Sequence, residues 1–399
     1  MSSLRVALLG AYSLAGNRIS GGPEAVVVQL AHGLRRLPGL EVHVFTASGR
    51  VQQDSAQERD GIVVHTLRLR RMPRWTLMRA NARALAQAVR RIAPDVAHAH
   101  SGGTWGDAAL ASGAPAVITV HGVIQQEAQV FRSYGLTWRQ SLSWRYEEWY
   151  ERRSLARAAD VIAISPYVAD FYRSMTAARM HLVENPVADA YFDLPDATEP
   201  GVILCAGRII RRKNVLGLLH AFADLRSTAP QARLRLAGDE HSEPDYAAQC
   251  RQFVAEQGLS GAVDFLGWLD EPALQAEYSR CACLALPSWQ ETAPVAIEQA
   301  MAAGKVVVAS DVGGVRHLLA HGRAGLLVQP GDEAGLAEAL RSAAQDAALR
   351  QRLGQAARRE AEARFRAGIV AQQTEAVYRE IIAGNAPAVK TPNPRNRPI

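Results

Sequence analysis

One stretch of the chain combines a carboxylate with the start of a helix at a spacing that suits a ligand carrying both hydroxyls and phosphate. Glu291 follows the predicted strand Cys283–Leu286, Thr292 lies in the turn, and Pro294 opens a predicted helix. The free N–H groups of Val295 to Ile297, at the start of that helix, are expected to form an anion site. An ordinary βα unit in which Glu291 only caps the helix fits the same spacing.

A second candidate site is a basic turn that follows the predicted strand Val202–Ala206. Arg208 and Lys213 flank two further arginines there, although residues 186–384 carry a formal charge of −5. Arginine forms bidentate pairs with phosphate oxygens, and lysine supplies a compact point charge. These residue types predict a site that binds a diphosphate and stabilises it as it leaves; a solvated basic turn is the alternative.

Two further candidates follow predicted strands in the first half of the chain. Gly21 and Gly22 precede a predicted helix, which allows close approach of an anion to the backbone or simply marks a turn. His121 ends a β-branched strand and is placed to donate a hydrogen bond to a sugar or phosphate oxygen, or to act as an acid or base. A lone histidine is also commonly structural.

Short β-branched runs alternate with longer helical patterns, and these elements must position the candidate residues. The first half contains predicted strands at Leu4–Leu9, Val42–Thr46, Ile62–Leu67, Asp95–His100, Ala116–Val120 and Val161–Ser165, with helices at Pro23–Leu37, Leu77–Ile92 and Leu136–Ala159. The pattern restarts with strands at Val202–Ala206, Arg233–Ala237, Val263–Leu266, Cys283–Leu286 and Val306–Ala309, and helices at Val215–Ser227, Tyr246–Gln257, Pro272–Cys281 and Pro294–Ala303. The alternation predicts two α/β domains with parallel sheets. Ligands of such sheets bind beyond the carboxyl ends of the strands, so the candidates are expected to meet in a cleft.

Proline and charge patterns predict where the domains divide. We expect an N-terminal domain over residues 1–185, a proline-rich hinge over 186–200 and a C-terminal domain over 201–365. Three final helices are predicted at Glu333–Ala344, Leu349–Arg364 and Ile369–Ala383. The segment 366–384 is expected to return to the N-terminal domain, and the tail 385–399, which has almost no apolar side chains, is expected to be disordered.

Composition narrows the class of protein. The chain has 399 residues, of which 48% are hydrophobic and 21% are charged, as in soluble globular proteins. No run of 18 apolar residues occurs, and the apolar start is too short for a secretory signal. The four cysteines form no Cys-x-x-Cys pair, so neither a structural zinc nor a disulfide scaffold is expected. We expect a cytoplasmic location, where thiols stay reduced.

Basic charge is concentrated in the first half and predicts an anionic partner. Residues 1–185 carry a formal charge of +8, and eight arginines with no acid occur between Arg68 and Arg91. A phosphate-bearing substrate, an anionic membrane surface and nucleic acid are the candidate partners. The alternative is that these arginines form a solvated helical face and bind no partner. No nucleic-acid-binding module is recognisable, so nucleic acid is not expected.

The stretch Tyr134–Arg157 interleaves Trp and Arg, which suits a lipid interface, although a crossover helix that packs its aromatics on the sheet fits slightly better.

Several motifs of other enzyme classes are absent. No Gly-x-Gly-x-x-Gly follows Leu9, and no Walker loop, Gly-x-Ser-x-Gly elbow or His-Glu-x-x-His occurs. No Asp-x-Asp occurs either, so a divalent metal held by that motif is not expected. These absences argue against an interpretation of the chain as a dehydrogenase, a P-loop nucleotidase, a serine hydrolase or a metalloprotease.

Taken together, these segments resemble glycosyltransferase family 4, a group of retaining enzymes with the GT-B architecture of two facing Rossmann-like domains and a deep interdomain cleft. The resemblance covers residues 4–383 and is most specific in the second half. The matching positions are Pro287-Ser288, Glu291, Pro294, Ala300–Gly304, Val307–Ser310, Gly313-Gly314 and Gly325–Val328, with Gly21-Gly22, His121, Asn185-Pro186, Gly207-Arg208, Lys213, Ala237-Gly238 and Phe265–Gly267 as further landmarks.

The resemblance implies transfer of a sugar from a UDP-, GDP- or ADP-sugar, without a metal or cofactor and with retention at the anomeric carbon. The acceptor would be a glycan or lipid-linked molecule bound by the first domain, in cell-surface polysaccharide or glycoconjugate synthesis. Glu291 would contact the donor sugar and His121 would lie near the leaving oxygen, which makes them the catalytic candidates. The implied substrate-binding residues are Gly21, Gly22, Arg208, Lys213, Thr292, Pro294, Val295 and Gln299.

The chain departs from the family pattern at the second glutamate of a paired-glutamate motif. Gln299 occupies that position, and Glu298 lies one residue early, which on a helix turns it by about 100°. We therefore expect altered ribose binding and not loss of activity. Asn214 replaces the glycine that usually follows Lys213, and asparagine tolerates turn conformations. A non-catalytic nucleotide-sugar-binding module and a nucleotide-sugar 2-epimerase on the same fold remain alternatives.

Overall fold

The computed structural model describes residues 3–13, 19, 21–49, 51–69, 74–135 and 137–385. The predicted tail lies outside the described residues from position 386 onward, as do Arg70 and Arg71 of the arginine-rich window. The described part contains two sheets, one of eight strands and one of six, with helices packed against both.

The first sheet is parallel except at one edge. Its strands are β1 Leu4–Leu9, β2 Leu40–Ser48, β3 Ser55–Arg59, β4 Ile62–Arg68, β5 Val96–His100, β6 Ala116–Val120, β7 Asp160–Ala163 and β8 Arg179–Leu182. They lie in the order β3-β4-β2-β1-β5-β6-β7-β8, and only β3 runs antiparallel to its neighbour. Alternate residues of β1 enter different cores: Val6 and Leu8 pack on one face, Ala7 and Leu9 on the other, and all four are fully buried.

Helices cover both faces of this sheet. They are α1 Gly22–Arg35, α2 Arg74–Arg91, α3 Gly103–Leu110, α4 Ile124–Ser133, α5 Trp138–Leu155, α6 Pro166–Tyr172 and α7 Asp189–Phe192. The helical stretch predicted over 136–159 is in fact preceded by a separate helix, α4. Gly135 in a left-handed conformation divides the two, and Thr137 and Gln140 form a capping box that starts α5.

The second sheet is entirely parallel. Its strands are β9 Val202–Ala206, β10 Arg233–Ala237, β11 Val263–Gly267, β12 Cys283–Leu286, β13 Val306–Ser310 and β14 Leu326–Val328, in the order β11-β10-β9-β12-β13-β14. Its helices are α8 Val215–Thr228, α9 Pro244–Glu256, α10 Glu271–Arg280, α11 Val295–Ala302, α12 Val315–Leu318, α13 Glu333–Gln345 and α14 Ala347–Arg364. The predicted α/β class with two parallel sheets is thus confirmed.

Two segments connect the two sheets, one at Val187 and one at Arg366, and they lie side by side. The N–H of Val187 donates to the carbonyl of Phe365 at 2.8 Å, and Val187 pairs with Arg366 in an isolated parallel bridge. The last helix, α15 Ala367–Asn385, begins there and packs against α1 of the first sheet. Gly33 of α1 allows this approach, because a Cβ at that position would lie 2.6 Å from the Ala367 carbonyl. The boundaries at 185, 200 and 365 stay predictions.

Candidate active site

A cavity of about 530 Å³ lies between residues that follow the carboxyl ends of strands in the two sheets. Every site residue predicted from the sequence lines it: Gly21, Gly22, His121, Arg208, Lys213, Glu291, Thr292, Pro294, Val295 and Gln299. The two halves are in contact here, since a Cβ on Gly22 would lie 3.4 Å from Cγ2 of Val295. The glycine turn of the first half therefore packs on the helix start of the second.

A buried ion pair joins two of the turns that line the cavity. The Lys213 Nζ lies 2.5 Å from Oε1 of Glu291. Lys213 ends a short 3₁₀ turn that begins at Arg211, and Asn214, with φ of 52°, leads from that turn into α8. Asparagine is among the few non-glycine residues that adopt this left-handed conformation readily, so the replacement of the family's glycine keeps the turn that presents Lys213.

Two cations stabilise the charged form of Glu291. Burial alone would raise the pKa of this carboxyl, but the adjacent Lys213 and Arg212 lower it below its ordinary value. Arg212 Nη1 lies 3.6 Å from the second carboxylate oxygen and donates to the Gln290 carbonyl at 2.8 Å. Burial in turn lowers the pKa of the Lys213 ammonium, which Glu291 partly offsets. The result is a compact buried charge cluster at the cavity wall.

The backbone that carries Glu291 is held by close packing against two glycines. A Cβ on Gly313 would lie 1.8 Å from the Glu291 carbonyl oxygen, and one on Gly314 would lie 1.9 Å from that of Thr292. Gly313 also has φ of 53°, a conformation that side chains disfavour. The loop after β13 thus fixes the loop after β12, which sets the position of the carboxylate.

Arg208 supplies a cation of a different kind. It is exposed, it follows β9, and among the described residues no carboxylate or hydrogen-bond acceptor pairs with its guanidinium. The Lys213 charge is already paired with Glu291, whereas that of Arg208 is available to a ligand. Two oxygens of one diphosphate can therefore be bound by Arg208 and by the Lys213 cluster together.

The start of α11 adds backbone donors to the same wall. Pro294 precedes the helix, and the N–H of Ile297, which was expected to be free, donates to the Pro294 carbonyl at 2.9 Å because the first turn of the helix already closes there. The N–H groups of Val295 and Ala296 consequently lie at the positive end of the helix, beside the cavity. This geometry suits an anion next to the Glu291 carboxylate.

Gln299 and Glu298 point in different directions, as their helical spacing requires. Gln299 lines the cavity, and its Oε1 lies 3.2 Å from the Tyr278 hydroxyl, which also has the Ala296 carbonyl as an acceptor at 3.0 Å. Gln299 therefore shares the single proton of that hydroxyl with Ala296. Glu298 is fully buried away from the cavity, where Asn185 donates to it at 3.1 Å. Burial, with repulsion from Glu184, raises the pKa of Glu298 well above its ordinary value.

His121 reaches the cavity from the end of β6 and contacts a second histidine. Its Nε2 lies 3.0 Å from Nδ1 of His100 on β5. Burial lowers the pKa of His121 from its ordinary 6.5 to about 4, so the imidazole is neutral near pH 7. It is therefore suited to donate or accept a hydrogen bond and not to supply a positive charge.

The cavity wall also contains residues that sequence reasoning missed, among them Trp268, Glu271 and Glu127. Glu271 and Trp268 follow β11, and Glu127 lies near the start of α4. Burial raises the pKa of Glu271. The rule that ligands bind beyond strand ends could have found Trp268 and Glu271, because both follow a predicted strand. Glu127 followed no recognised pattern, since α4 itself was not predicted.

Two features of other protein classes are absent from the part of the chain that the structure describes. No group of three or more His, Cys, Asp or Glu side chains within that part of the chain is arranged to hold a metal ion. Among the helices described there, none is both long and apolar enough to cross a membrane.

Comparison with known proteins identifies the class of enzyme. Residues 20–191 match the family model described as Glycosyltransferase Family 4, and residues 189–360 match the model described as Glycosyl transferases group 1. The fold and these matches define a glycosyltransferase. More narrowly, the chain belongs to glycosyltransferase family 4, which confirms the resemblance seen in the sequence.

Two curated relatives agree with this assignment. The alpha-maltose-1-phosphate synthase of Mycolicibacterium smegmatis is 28% identical over 92% of this chain and 97% of its own length. The D-inositol 3-phosphate glycosyltransferase of Pseudarthrobacter chlorophenolicus is 28% identical over 88% of this chain and 90% of its own length.

Solved structures with similar folds confirm the GT-B architecture. Sucrose-phosphate synthase from Thermosynechococcus elongatus superposes with a TM-score of 0.78 at 24% identity, covering 96% of this chain and 100% of that one. Anabaena HepE in complex with UDP-glucose superposes with a TM-score of 0.70 at 19% identity, covering 94% of this chain and 100% of that one.

Proposed function

We propose that this protein transfers a sugar from a nucleotide-diphosphate donor to a glycan or lipid-linked acceptor, with retention at the anomeric carbon. The observation that carries the proposal is the convergence of Glu291, Lys213 and Arg208 on one cavity, beside the start of α11. A carboxylate for sugar hydroxyls next to two cations and free backbone N–H groups matches the chemistry of a sugar diphosphate. Family membership and the nucleotide sugar bound by Anabaena HepE support the same donor class.

The proposed step needs no covalent enzyme intermediate. The bond between the anomeric carbon and the diphosphate oxygen breaks, and the acceptor hydroxyl oxygen bonds to that carbon from the same face. The departing diphosphate takes the proton of the acceptor hydroxyl. Arg208, Lys213 and the N–H groups of Val295 and Ala296 stabilise the charge that develops on the diphosphate. The proposal assigns charge neutralisation to these groups and not to a metal ion.

A peripheral contact with an anionic membrane is part of the proposal for lipid-linked acceptors. Trp138 and Trp149 on α5 are 68% and 47% exposed, and Arg139 and Arg145 lie on the same helix. Exposed tryptophan beside arginine suits the lipid interface. The first half, which carries the +8 charge, would then face the cytoplasmic surface of the membrane. Flotation with anionic vesicles at low salt tests this: protein that stays entirely at the bottom of the gradient contradicts it.

A thermal-shift screen with UDP-, GDP- and ADP-sugars, followed by a turnover assay, tests the proposed function. A ligand that binds the folded state raises the melting temperature in a concentration-dependent way. We expect one nucleotide class to do so and the corresponding donor to be consumed only when an acceptor is present. Binding without turnover would indicate a nucleotide-sugar-binding module, and conversion of the donor without an acceptor would indicate a 2-epimerase.

A further inference from the structure

The wall of the cavity that the first sheet supplies contains a column of three imidazole rings. His121 lies at the cavity end, and its ring lies edge to edge with that of His100, with 5.2 Å between centroids and 13° between the ring planes. The ring of His98 stacks on that of His100 at 4.3 Å between centroids. His98 and His100 are buried, so the column extends from the cavity into the core.

The deep end of the column is fixed by two hydrogen bonds. His98 Nε2 lies 2.6 Å from the Thr119 hydroxyl, and His98 Nδ1 lies 2.6 Å from the Tyr378 hydroxyl of α15. Both ring nitrogens of His98 are therefore occupied. His100 differs, because its Nδ1 lies 3.0 Å from Nε2 of His121 while its Nε2 is buried and has no hydrogen-bond partner among the described residues.

All three rings are neutral near pH 7. Burial lowers the pKa of His98 to about 3 and that of His121 to about 4, and it lowers the pKa of His100 well below 6.5. Each neutral imidazole carries one N–H and one acceptor nitrogen. The contact between His100 and His121 therefore has one donor, and two tautomeric arrangements are conceivable.

The unpartnered nitrogen of His100 decides between them. If His121 donated, the His100 proton would be on its buried Nε2, where no acceptor lies. A buried N–H without a partner costs free energy and is rarer than an unpartnered acceptor. If His100 donates from Nδ1 instead, its buried Nε2 is only an acceptor without a donor. This second arrangement puts the proton of His121 on Nδ1.

We propose that His100 is a positioning residue that holds His121 as its Nδ1–H tautomer, so that His121 offers the cavity a hydrogen-bond donor. The role rests on the proposed function, because the acceptor of that hydrogen bond is an oxygen of the bound sugar diphosphate. Nδ1 is the ring nitrogen of His121 that the contact with His100 leaves for a ligand. A neutral donor at this place stabilises oxygen on which charge develops without adding a permanent positive charge.

Nuclear magnetic resonance of the full-length protein labelled with 15N-histidine tests the tautomer directly. A spectrum that correlates ring nitrogens with carbon-bound ring protons distinguishes protonated from unprotonated nitrogens, and the signals of His121 are assigned by their loss in His121→Ala. We expect Nδ1 of His121 to be protonated in the wild-type protein without ligand. Protonation at Nε2 overturns the proposal.

Two substitutions separate positioning from packing. His100→Asn retains an amide N–H near the place of Nδ1, whereas His100→Leu retains similar volume but no donor. We expect His100→Asn to keep the Nδ1–H form of His121 and most of the activity. We expect His100→Leu to populate the Nε2–H form and to lower kcat/KM about tenfold, the effect of about one hydrogen bond. An unchanged tautomer in His100→Leu contradicts the proposal.

Folding controls and a comparison of tautomer with activity separate the positioning role from the proposed function. Circular dichroism melting curves establish that both variants are folded at the assay temperature. The tautomer measurement needs no substrate, so its outcome is independent of the proposed function. Transfer activity with His121 in the Nε2–H form rejects the positioning role alone, and the expected tautomer without transfer from any donor rejects the proposed function alone.

Discussion

The Lys213 ammonium lies 2.5 Å from the Glu291 carboxylate, although the two residues are 78 positions apart in the chain. The Glu291 side chain is buried and that of Lys213 is largely so, and each compensates the charge of the other in an environment that would otherwise penalise both. The pair thus fixes two loops that follow neighbouring strands, β9 and β12, at the cavity wall. A ligand diphosphate would enter this arrangement as an additional anion beside a cluster of cations.

Removing the lysine tests the charge that the diphosphate needs. We expect Lys213→Met to lower the rate of transfer at saturating donor by a factor of about 100 to 1,000, the cost typical of losing one group that stabilises developing charge. Stability also falls, because the buried Glu291 loses its nearest cation. Initial rates and melting curves on the same samples separate the two effects.

Lys305→Met is the matched control for that experiment. The Lys305 side chain is 6% exposed, against 13% for Lys213, and forms an ion pair with Asp196 at 2.9 Å, but it does not line the cavity. This variant should lose stability while its folded fraction keeps near-normal turnover. Equal loss of turnover in the two variants would mean that the Lys213 effect is structural.

Arg208 is expected to affect ligand binding without affecting stability. Its side chain is exposed and unpaired within the described residues, so Arg208→Ala should leave the melting temperature of the ligand-free protein unchanged. The affinity for the nucleoside diphosphate should fall about tenfold, and Arg208→Lys should recover only part of it, since lysine cannot pair in bidentate fashion. Isothermal titration calorimetry at two salt concentrations measures this.

Arg211→Ala removes the same charge three residues away and serves as the comparison. The Arg211 guanidinium donates to Glu243 at 3.0 Å and does not line the cavity. Its loss should leave the affinity for the diphosphate nearly unchanged. If both variants weaken binding equally, only the overall charge of the region matters and Arg208 makes no specific contact.

Gly313 is expected to be intolerant of even one added methyl group. In Gly313→Ala the new Cβ would overlap the Glu291 carbonyl oxygen, so the loop that carries the carboxylate must move. A displacement of this kind costs catalysis steeply, and we expect transfer to fall by about 100-fold or more. The measurement is the initial rate at saturating donor and acceptor.

Gly322→Ala separates this overlap from backbone strain. Gly322 also has a positive φ, 89°, but no heavy atom lies within 4 Å of its Cβ position. It should cost about 1–2 kcal/mol of stability from the left-handed conformation and leave the transfer rate intact. Comparable loss of transfer in both variants would contradict the packing argument.

Protonation of the buried histidines should make stability depend on pH. The pKa of His98 is about 3 and that of His121 about 4 in the folded protein, against an ordinary value of 6.5. Below pH 6.5 the unfolded chain therefore binds more protons than the folded one, so the free energy of unfolding falls as the pH drops toward 4. Urea unfolding at about pH 7, 6 and 5 should show this decline.

One variant isolates the histidine contribution from that of the carboxyl groups. His100→Asn removes one buried imidazole whose pKa is lowered by burial, and the decline between about pH 7 and 5 should become shallower. A wild-type slope in His100→Asn would mean that this imidazole does not resist protonation.

Local patterns were sufficient to predict most of the fold, and they failed where burial gave no periodic signal. Strand β3 has five exposed residues and lies at the sheet edge, so it lacks the alternation that marks a strand. Strand β8 likewise has no fully buried residue. The division of α4 from α5 did have a signal, because Gly135 and the Thr137–Gln140 capping box are visible in the sequence.

The candidate site was predictable to the extent that its residues follow strands. Glu291, Arg208 and His121 each follow a buried strand within five residues, and all three line the cavity. Their partners were not predictable, because the contact of His100 with His121 and that of Tyr378 with His98 depend on how distant elements pack. Sequence spacing describes one element at a time, whereas these contacts join β5 to β6 and α15 to the first sheet.

The amide of Gln299 should make nucleotide binding weaker than a carboxylate would. The Gln299 Oε1 shares the Tyr278 hydroxyl proton with the Ala296 carbonyl, and no hydrogen bond within the described residues engages the Gln299 amide N–H groups. In Gln299→Glu one oxygen can keep the Tyr278 bond while the other accepts from a ribose hydroxyl. A charged acceptor makes the stronger hydrogen bond by about 1 kcal/mol, so the nucleotide affinity should rise about fivefold. Titration calorimetry with the nucleoside diphosphate selected by the donor screen measures the change.

Two comparisons determine whether the gain arises at the ribose. With the 2′-deoxy and 3′-deoxy forms of the same nucleotide, the advantage of Gln299→Glu should shrink for at least one of them, because the accepted hydroxyl is missing. Glu298→Gln changes the neighbouring residue, which is buried against Asn185 and lies outside the cavity, and should leave the affinity unchanged. An equal gain for the ribose and both deoxy forms would place Gln299 away from the sugar of the nucleoside.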